Sequence, residues 1–131
     1  MITHKLIKLA EAMAEFEGWL PVSGTGDSPG AGTVSYRNHN PGNLRQSPFA
    51  LGHRDGFAYF TNDFVGFFAM IFDIWKKSRG ETSTGLTPES TIADLIKIWT
   101  EDADNIKENY IQYVEQRTGL KRDTKLKNLI N

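Results

Sequence analysis

The chain has 131 residues, a formal net charge of −1 and no cysteine. This length is typical of one domain, residues 1–131, that buries about two-thirds of the surface of its unfolded chain. The lack of cysteine excludes disulfides, thiolate metal sites and a cysteine nucleophile. The near-zero net charge argues against a dedicated nucleic-acid binder, which would show a basic excess.

No membrane span is expected from the hydropathy pattern. The longest apolar-rich stretch, residues 64–75, is shorter than the roughly 18 residues that indicate a spanning helix. The first ten residues carry His4, Lys5 and Lys8, so no signal peptide is expected there.

A first helix is predicted over residues 2–17, with Gly18 as its stop signal. At 100° per residue, one side of this helix carries Leu6, Ala10, Met13 and Glu17. Glu15 lies about 160° around the helix from Glu17 and is predicted to be on the solvated side.

The region between residues 20 and 62 is rich in glycine and proline and is not expected to be mainly helical. Within it, residues 33–36 and 56–60 have the β-branched and aromatic content of short strands in a small sheet. A functional site is expected in this region, because loops next to regular elements carry most binding residues.

The second half of the chain is predicted to be helical. Residues 63–79 are apolar almost all round, follow a cap at Asn62 or Asp63, and are expected to form a central buried helix. A further helix begins near Thr87 or Thr91 and ends near Thr100. Its predicted core residues are Ile92, Leu95, Ile96 and Trp99.

Two more helices complete the prediction. One covers residues 104–117 and ends before Gly119, and its predicted core residues are Ile106, Tyr110, Tyr113 and Val114. The last is capped by Asp123 and buries Leu126, Leu129 and Ile130. The predicted fold class is mainly α: a helical bundle around a central buried helix, with a small β-hairpin or sheet that lines a cleft.

Glu17 is the strongest catalytic candidate. A carboxyl on the apolar side of a helix, in its last turn, has two reasons to keep its proton: desolvation and the negative end of the helix dipole both disfavour the carboxylate. A general acid for glycosidic cleavage needs that protonated state. The alternative is a last-turn glutamate that reaches water past Gly18.

A second carboxylate, which a hydrolase requires, has three candidates in Asp27, Asp55 and Asp63. Asp27 follows the first helix closely, whereas Asp63 fits a helix cap. No metal site or cofactor is predicted, because His39 and His53 lack the spacing of a ligand motif.

Residues 36–45 concentrate amide and guanidinium side chains around a Pro-Gly turn. An asparagine offers a donor and an acceptor on one short side chain, which suits sugar hydroxyls and N-acetyl groups. The alternative is an ordinary tight turn, since asparagine and glycine tolerate positive φ. The candidate substrate-binding residues of this segment are Arg37, Asn38, Asn40, Asn43 and Arg45.

Two segments resemble a known family, the lysozyme-like superfamily of soluble lytic transglycosylases, goose-type lysozymes and related phage and bacterial domains. Residues 13–19, Met-Ala-Glu-Phe-Glu-Gly-Trp, resemble the helix end that carries the catalytic glutamate. Residues 36–45 are similar to the Arg-Asn-Asn-Asn-Pro-Gly-Asn signature of the phage-associated branch. Residues 56–60 and 66–70 resemble a strand and the buried helix of that branch, and the tail matches in outline, with residues 91–94, 110–111 and 118–119. The resemblance extends from about residue 6 to about residue 125.

The resemblance implies roles for individual residues. Glu17 would be the catalytic acid and base, and Tyr110 would face it across the cleft. Arg45 stands where transglycosylases usually have a glutamine. His39 replaces the middle asparagine of the signature and receives no role. Lining the cleft would be Arg37, Asn38, Asn40, Asn43 and Arg45.

The implied activity is cleavage of the bond between N-acetylmuramic acid and N-acetylglucosamine in peptidoglycan, by a phage lytic transglycosylase that needs no cofactor. The alternatives are a hydrolytic muramidase with a second carboxylate, a chitinase-like hydrolase, and a virion or wall-binding protein without turnover. The expected partners are peptidoglycan glycan strands and other virion proteins, with no nucleic acid. The expected location is the virion, or the host cytoplasm before release to the wall.

Overall fold

The computed structural model describes residues 2–19 and 33–130, which form five α-helices and a two-stranded antiparallel sheet. The predicted mainly helical class with a small sheet is confirmed. The elements are α1 His4–Phe16, α2 Val34–Arg37, β1 Gly52–Arg54, β2 Phe57–Tyr59, α3 Asp63–Ser78, α4 Ile92–Trp99, α5 Asp104–Thr118 and a 3-10 turn, Leu126–Leu129. Among the described helices, none is both long and apolar enough to cross a membrane.

The chain divides into two compact units. One is continuous in sequence and consists of Met13–Phe72. The other combines Met1–Ala12 with Asp73–Asn131. The continuous unit carries most of the candidate site residues.

The predicted strand over residues 33–36 is wrong, because this segment forms α2. Thr33 Oγ1 accepts a hydrogen bond from the Tyr36 backbone N–H at 3.1 Å and so caps the helix. Asn38 N donates to Val34 O at 3.0 Å and closes the turn. A side-chain cap here outweighs the β propensity of threonine, valine and tyrosine, which is a weak and context-dependent preference.

The strand predicted over residues 56–60 is confirmed as β2, and its partner is β1. In the register, Arg54 pairs with Phe57 and Gly52 pairs with Tyr59. The two-residue connection is Asp55-Gly56, with φ of 57° and 81°. Two consecutive positive φ values are typical of a type I′ turn, whose twist matches that of the strands.

Helix α3 begins as predicted, but its first half is not buried all round. Asn62 supplies the cap, since its Oδ1 accepts a hydrogen bond from Val65 N at 2.9 Å. Phe64 is 82% exposed and Phe68 is 43% exposed. Only the side of α3 that carries Gly66 and Met70 is covered in this part of the helix. The expectation of a fully buried central helix is therefore wrong for its first turns.

In the second unit, α4 packs against α5. Thr91 and Asp94 form a capping box, with Thr91 Oγ1 accepting from Asp94 N and Asp94 Oδ2 accepting from Thr91 N. Ile92, Leu95 and Ile96 are buried as predicted, and Trp99 is half-buried.

Two details of the later helices differ from the prediction. Ile106 is exposed, because it lies in the first turn of α5, and Ile111 is buried instead. The last element is a short 3-10 turn that starts after Lys125, without a side-chain cap from Asp123. Leu126 and Leu129 are buried, as predicted for that segment.

Arg122 binds two carboxylates of α5 at once. Its Nη1 and Nη2 donate to Glu108 Oε1 and Oε2 at 3.0 and 2.8 Å. Its Nη2, Nε and backbone N donate to Glu115 at 2.9, 3.2 and 3.0 Å. These paired, bidentate contacts tie the segment after α5 back onto that helix.

This arrangement predicts a loss of stability in acid. Hydrogen bonds from Arg122 hold the pKa of Glu108 and of Glu115 below the ordinary value of 4.5. A carboxyl whose pKa is lower in the folded state stabilises the fold above its unfolded pKa, and this contribution is lost as the pH falls through the folded pKa. Arg122→Gln should therefore lower the urea midpoint at pH 7, and the gap to wild type should shrink below pH 4.5. An equal gap at about pH 3 would assign the effect to packing of the arginine stem instead.

Candidate functional site around the end of helix α1

Glu17 lies at the C-cap of α1, in a backbone arrangement that fixes its position. Gly18 N donates to Glu15 O at 3.1 Å, and Trp19 N donates to Ala14 O at 3.0 Å. This pair of bonds is the Schellman motif, and it requires the left-handed φ of 93° that Gly18 adopts. Glu17 is half-buried, and its backbone N still donates to Met13 O at 3.0 Å.

The helix end is joined directly to α2. Gly18 O accepts a hydrogen bond from Thr33 Oγ1 at 3.1 Å, the same hydroxyl that caps α2. A Cβ on Gly18 would lie 2.9 Å from Thr33 Cγ2, so the two segments are in close contact. Thr33 therefore connects the end of the predicted catalytic helix to the start of residues 36–45, which we call the asparagine segment.

Asn40 is fully buried and uses its whole amide inside the loop. Its Nδ2 donates to Leu44 O at 2.8 Å and to Ala58 O at 2.9 Å, and its Oδ1 accepts from Leu44 N at 2.9 Å. These bonds attach the Pro-Gly turn to β2. The amide thus stabilises the loop, which is the role that the turn interpretation gives it.

Asn38 is also fully buried and is bound to the hairpin. Its Nδ2 donates to Arg54 O at 3.2 Å, and its Oδ1 accepts from Arg54 Nε at 3.0 Å. Asn38 O accepts a further hydrogen bond from Phe60 N at 2.9 Å. Like Asn40, Asn38 is placed to hold the loop against the sheet.

Asn43 differs from these two asparagines. It adopts a left-handed φ of 53° and is half-buried. Its Oδ1 is enclosed and has no hydrogen-bond partner among the described residues. An unsatisfied enclosed acceptor costs about 1–3 kcal/mol, and a ligand reaches this oxygen only if the loop around it moves. Asn43 is nevertheless the asparagine of this segment whose side-chain oxygen does not hold the loop.

Substitutions of Asn40 and Asn43 should therefore differ in their effects on stability and on activity. Asn40→Ala should destabilise the fold by about 2–4 kcal/mol, because it removes three buried hydrogen bonds and leaves Leu44 N–H without its acceptor, although Leu44 O keeps the bond from Ala58 N. Asn43→Gly keeps the left-handed backbone accessible and should change stability by less than about 1 kcal/mol. If Asn43 contacts substrate, its loss should lower wall-lysing activity at unchanged stability. Urea unfolding and a lysis assay on both variants test this, and an active Asn43→Gly protein would remove Asn43 from the site.

Asp63 joins two residues for which no catalytic role is predicted. Trp19 Nε1 donates to Asp63 Oδ1 at 3.3 Å, and His39 Nδ1 lies 2.9 Å from the same oxygen. The Trp19 ring also stacks on Phe67, with centroids 6.1 Å apart. The sequence offers two candidates for the cap of α3, Asn62 and Asp63. Because Asn62 caps the helix, the Asp63 carboxylate is available for the contacts with Trp19 and His39.

Two of the remaining predicted residues contact the hairpin, and the third belongs to the other compact unit. Arg37 and Arg45 are exposed and reach the Asp55-Gly56 turn of the hairpin. Tyr110 is fully buried in α5, in the other compact unit, and its predicted place opposite Glu17 stays a prediction.

The candidates for a second carboxylate have other contacts. Asp55 Oδ2 lies 3.4 Å from Arg37 Nη2, and Asp63 is bound by Trp19 and His39. Asp27 lies outside the described residues. Among residues 2–19 and 33–130, no group of three or more His, Asp or Glu side chains is arranged to hold a metal ion.

A surface depression of about 350 Å³ lies beside the hairpin and is lined by Gln46, Ser47, Pro48 and His53. None of these four lining residues is a carboxylate, and none is among the residues predicted to bind substrate. No protein-family model, curated protein or solved structure matches the chain.

Proposed function

We propose that the protein is a peptidoglycan-cleaving glycosidase of the lysozyme-like superfamily, and specifically a lytic transglycosylase with Glu17 as its general acid and base. The observation that carries the proposal is the position of Glu17. It is a half-buried carboxyl at the C-cap of α1, fixed by the Schellman motif through Gly18, in the same compact unit as the asparagine segment.

One carboxyl is sufficient for this reaction. Glu17 first gives its proton to the glycosidic oxygen, and the bond from that oxygen to C1 of N-acetylmuramic acid breaks. The resulting Glu17 carboxylate then takes the proton of the C6 hydroxyl while that oxygen bonds to C1. The products are a 1,6-anhydro end and a free hydroxyl on N-acetylglucosamine. Glu17 is protonated again, and no water is consumed.

The contacts of Asp55 and Asp63 favour this outcome over hydrolysis. An inverting or retaining hydrolase needs a second carboxylate that activates water or attacks the sugar. Asp55 is paired with an arginine, and Asp63 accepts from Trp19 and contacts His39. These contacts direct both carboxylates to partners within the protein rather than to a water on the far face of a sugar.

Mass spectrometry of the fragments released from bacterial sacculi tests the proposal. Anhydro-muropeptides are the expected product. Release of fragments with reducing ends would indicate a muramidase instead of a transglycosylase. Release from chitin rather than from sacculi would indicate a chitinase-like hydrolase, and no release from either polymer would overturn the glycosidase proposal in favour of a wall-binding role.

A further inference from the structure

Three arginines lie around the hairpin, two with contacts to its turn and one at the end of β1; we name Arg37, Arg45 and Arg54 the arginine cluster. Arg37 Nη2 lies 3.4 Å from Asp55 Oδ2. Arg45 Nη1 donates to Gly56 O at 3.2 Å. Arg54 is the last residue of β1 and directly precedes the turn. Arg37 and Arg45 reach the two turn residues, whereas the Arg54 guanidinium is directed to Asn38 Oδ1 and Arg37 O.

Two of these guanidinium groups are held in place by aromatic rings. The Arg45 guanidinium carbon lies 4.6 Å from the centroid of Phe57, and that of Arg54 lies 4.4 Å from the centroid of Tyr59. Arg54 Nε also donates to Asn38 Oδ1 at 3.0 Å, and Arg54 Nη2 donates to Arg37 O at 3.3 Å. Stacking occupies a face of each group, whereas hydrogen bonds to a ligand form in its plane. The side chains are therefore ordered before any ligand binds.

The charge of this region is opposite to that of the whole chain. Residues 33–60 contain the three arginines and one acid, Asp55, which gives +2 with neutral histidines, whereas the chain carries −1. An anion bound at the arginine cluster gains from this local excess of positive charge. Planar guanidinium groups match the two oxygens of a carboxylate or a phosphate, and such paired contacts are strong.

We propose that the arginine cluster is a binding site for an oxyanion of the cell-wall polymer. The shared chemistry is a carboxylate of a stem peptide or a phosphate of a teichoic acid. This inference rests on the proposed function for its choice of polymer. It adds a charged contact to the wall, at the hairpin turn, to a protein whose overall charge gives no general attraction to polyanions.

Co-sedimentation with Gram-positive sacculi on ice tests this site without requiring turnover. The test variant is Arg37→Gln with Arg45→Gln, and the control is Arg79→Gln. Arg79 is a suitable match because it also stacks on an aromatic ring, Trp75 at 4.5 Å, and pairs with Glu81 at 2.9 Å. The double variant should raise the Kd at least about tenfold, the loss of a single charge-assisted contact, and the control should bind like wild type.

Three wall preparations identify the anion: untreated sacculi, sacculi without teichoic acids and sacculi without stem peptides. Removal of teichoic acids with hydrofluoric acid should weaken wild-type binding if phosphate is the ligand, and removal of stem peptides with an amidase should do so if carboxylate is. A Kd unchanged in the double variant would overturn the proposal, as would equal weakening in Arg79→Gln or failure of the wild-type protein to bind any preparation. Arg45→Lys retains the charge without the paired donors and is expected to weaken binding too, which keeps the test open if the double variant does not fold.

The two proposals fail separately. Wall binding that depends on the arginine cluster, without muropeptide release, would keep this site and reject the glycosidase. Muropeptide release with an unchanged Kd in the double variant would keep the glycosidase and reject the site.

Discussion

Glu17→Gln should abolish wall lysis and leave the protein folded. The amide has nearly the same shape as the carboxylic acid but cannot donate an acid proton or accept one in the second step. General acid–base catalysis contributes about 10²–10⁴-fold, and Glu17 is proposed for both proton transfers, so a loss of at least about 10²-fold in rate is expected. Because Glu17 is half-buried at a helix end, the free energy of unfolding should change by less than about 1 kcal/mol.

Glu15→Gln is the matched control for this variant. Glu15 lies in the last turn of the same helix, is also half-buried, and differs from Glu17 in its direction around the helix axis. Its activity should stay within about twofold of wild type, because it carries no proton-transfer role. Turbidity loss of a cell-wall suspension, measured beside a urea unfolding curve, reports activity and folding together. Wall lysis by a well-folded Glu17→Gln protein would remove Glu17 from catalysis.

Gly66→Ala should destabilise the fold by about 3 kcal/mol or more. A Cβ at this position would lie 1.8 Å from the backbone oxygen of His39 and 3.0 Å from Pro41 Cδ. Backbone atoms cannot rotate away, so either α3 or the asparagine segment has to move. Overpacking of this kind costs about 1–3 kcal/mol and sometimes more. Helix propensity alone predicts the opposite sign, a gain of about 1 kcal/mol for alanine over glycine.

Gly85→Ala is the control for Gly66→Ala, because it measures the cost of placing alanine at a positive φ without a steric clash. Gly85 has a positive φ of 87°, and a Cβ added there would have no neighbouring atom within 4 Å, so its substitution should cost only about 1–2 kcal/mol. Chemical denaturation of both variants gives the comparison. A Gly66→Ala protein as stable as wild type would mean that His39 does not pack this closely on α3.

The parts of the fold that were predictable are those with strong local signals. Gly18 ends α1, Thr91 begins α4 and Gly119 follows α5, each through a cap whose chemistry involves only a few neighbouring residues. Strand β1, which was not among the predicted elements, also has a local signal in the sequence. Asp55-Gly56 is a preferred pair for a two-residue hairpin turn, and residues on both sides of it form the strands.

The site was harder to predict, because residue type does not reveal which polar side chains form hydrogen bonds within the protein and which do not. Asn38, Asn40 and Asn43 look alike in sequence, yet two of them hold the loop and only Asn43 has an enclosed oxygen without a described partner. The contact of Trp19 with Asp63 joins residues 44 positions apart, which no local pattern encodes. The position of Glu17 at the end of α1 was predictable because this helix end depends on local chemistry alone, and its catalytic role stays a prediction.

The division of the chain into two units has a consequence for the order of folding. Met13–Phe72 is one continuous stretch, so all its internal contacts become available once residue 72 has left the ribosome. The other unit joins Met1–Ala12 to Asp73–Asn131 and contains the contact of Thr3 Oγ1 with Leu129 O, between residues 126 positions apart. Contacts of long sequence separation form slowly, because the loop between them must first close. The amino-terminal turns of α1 are therefore expected to wait for the carboxyl-terminal segment, and this unit should be the later of the two to acquire protection against amide exchange.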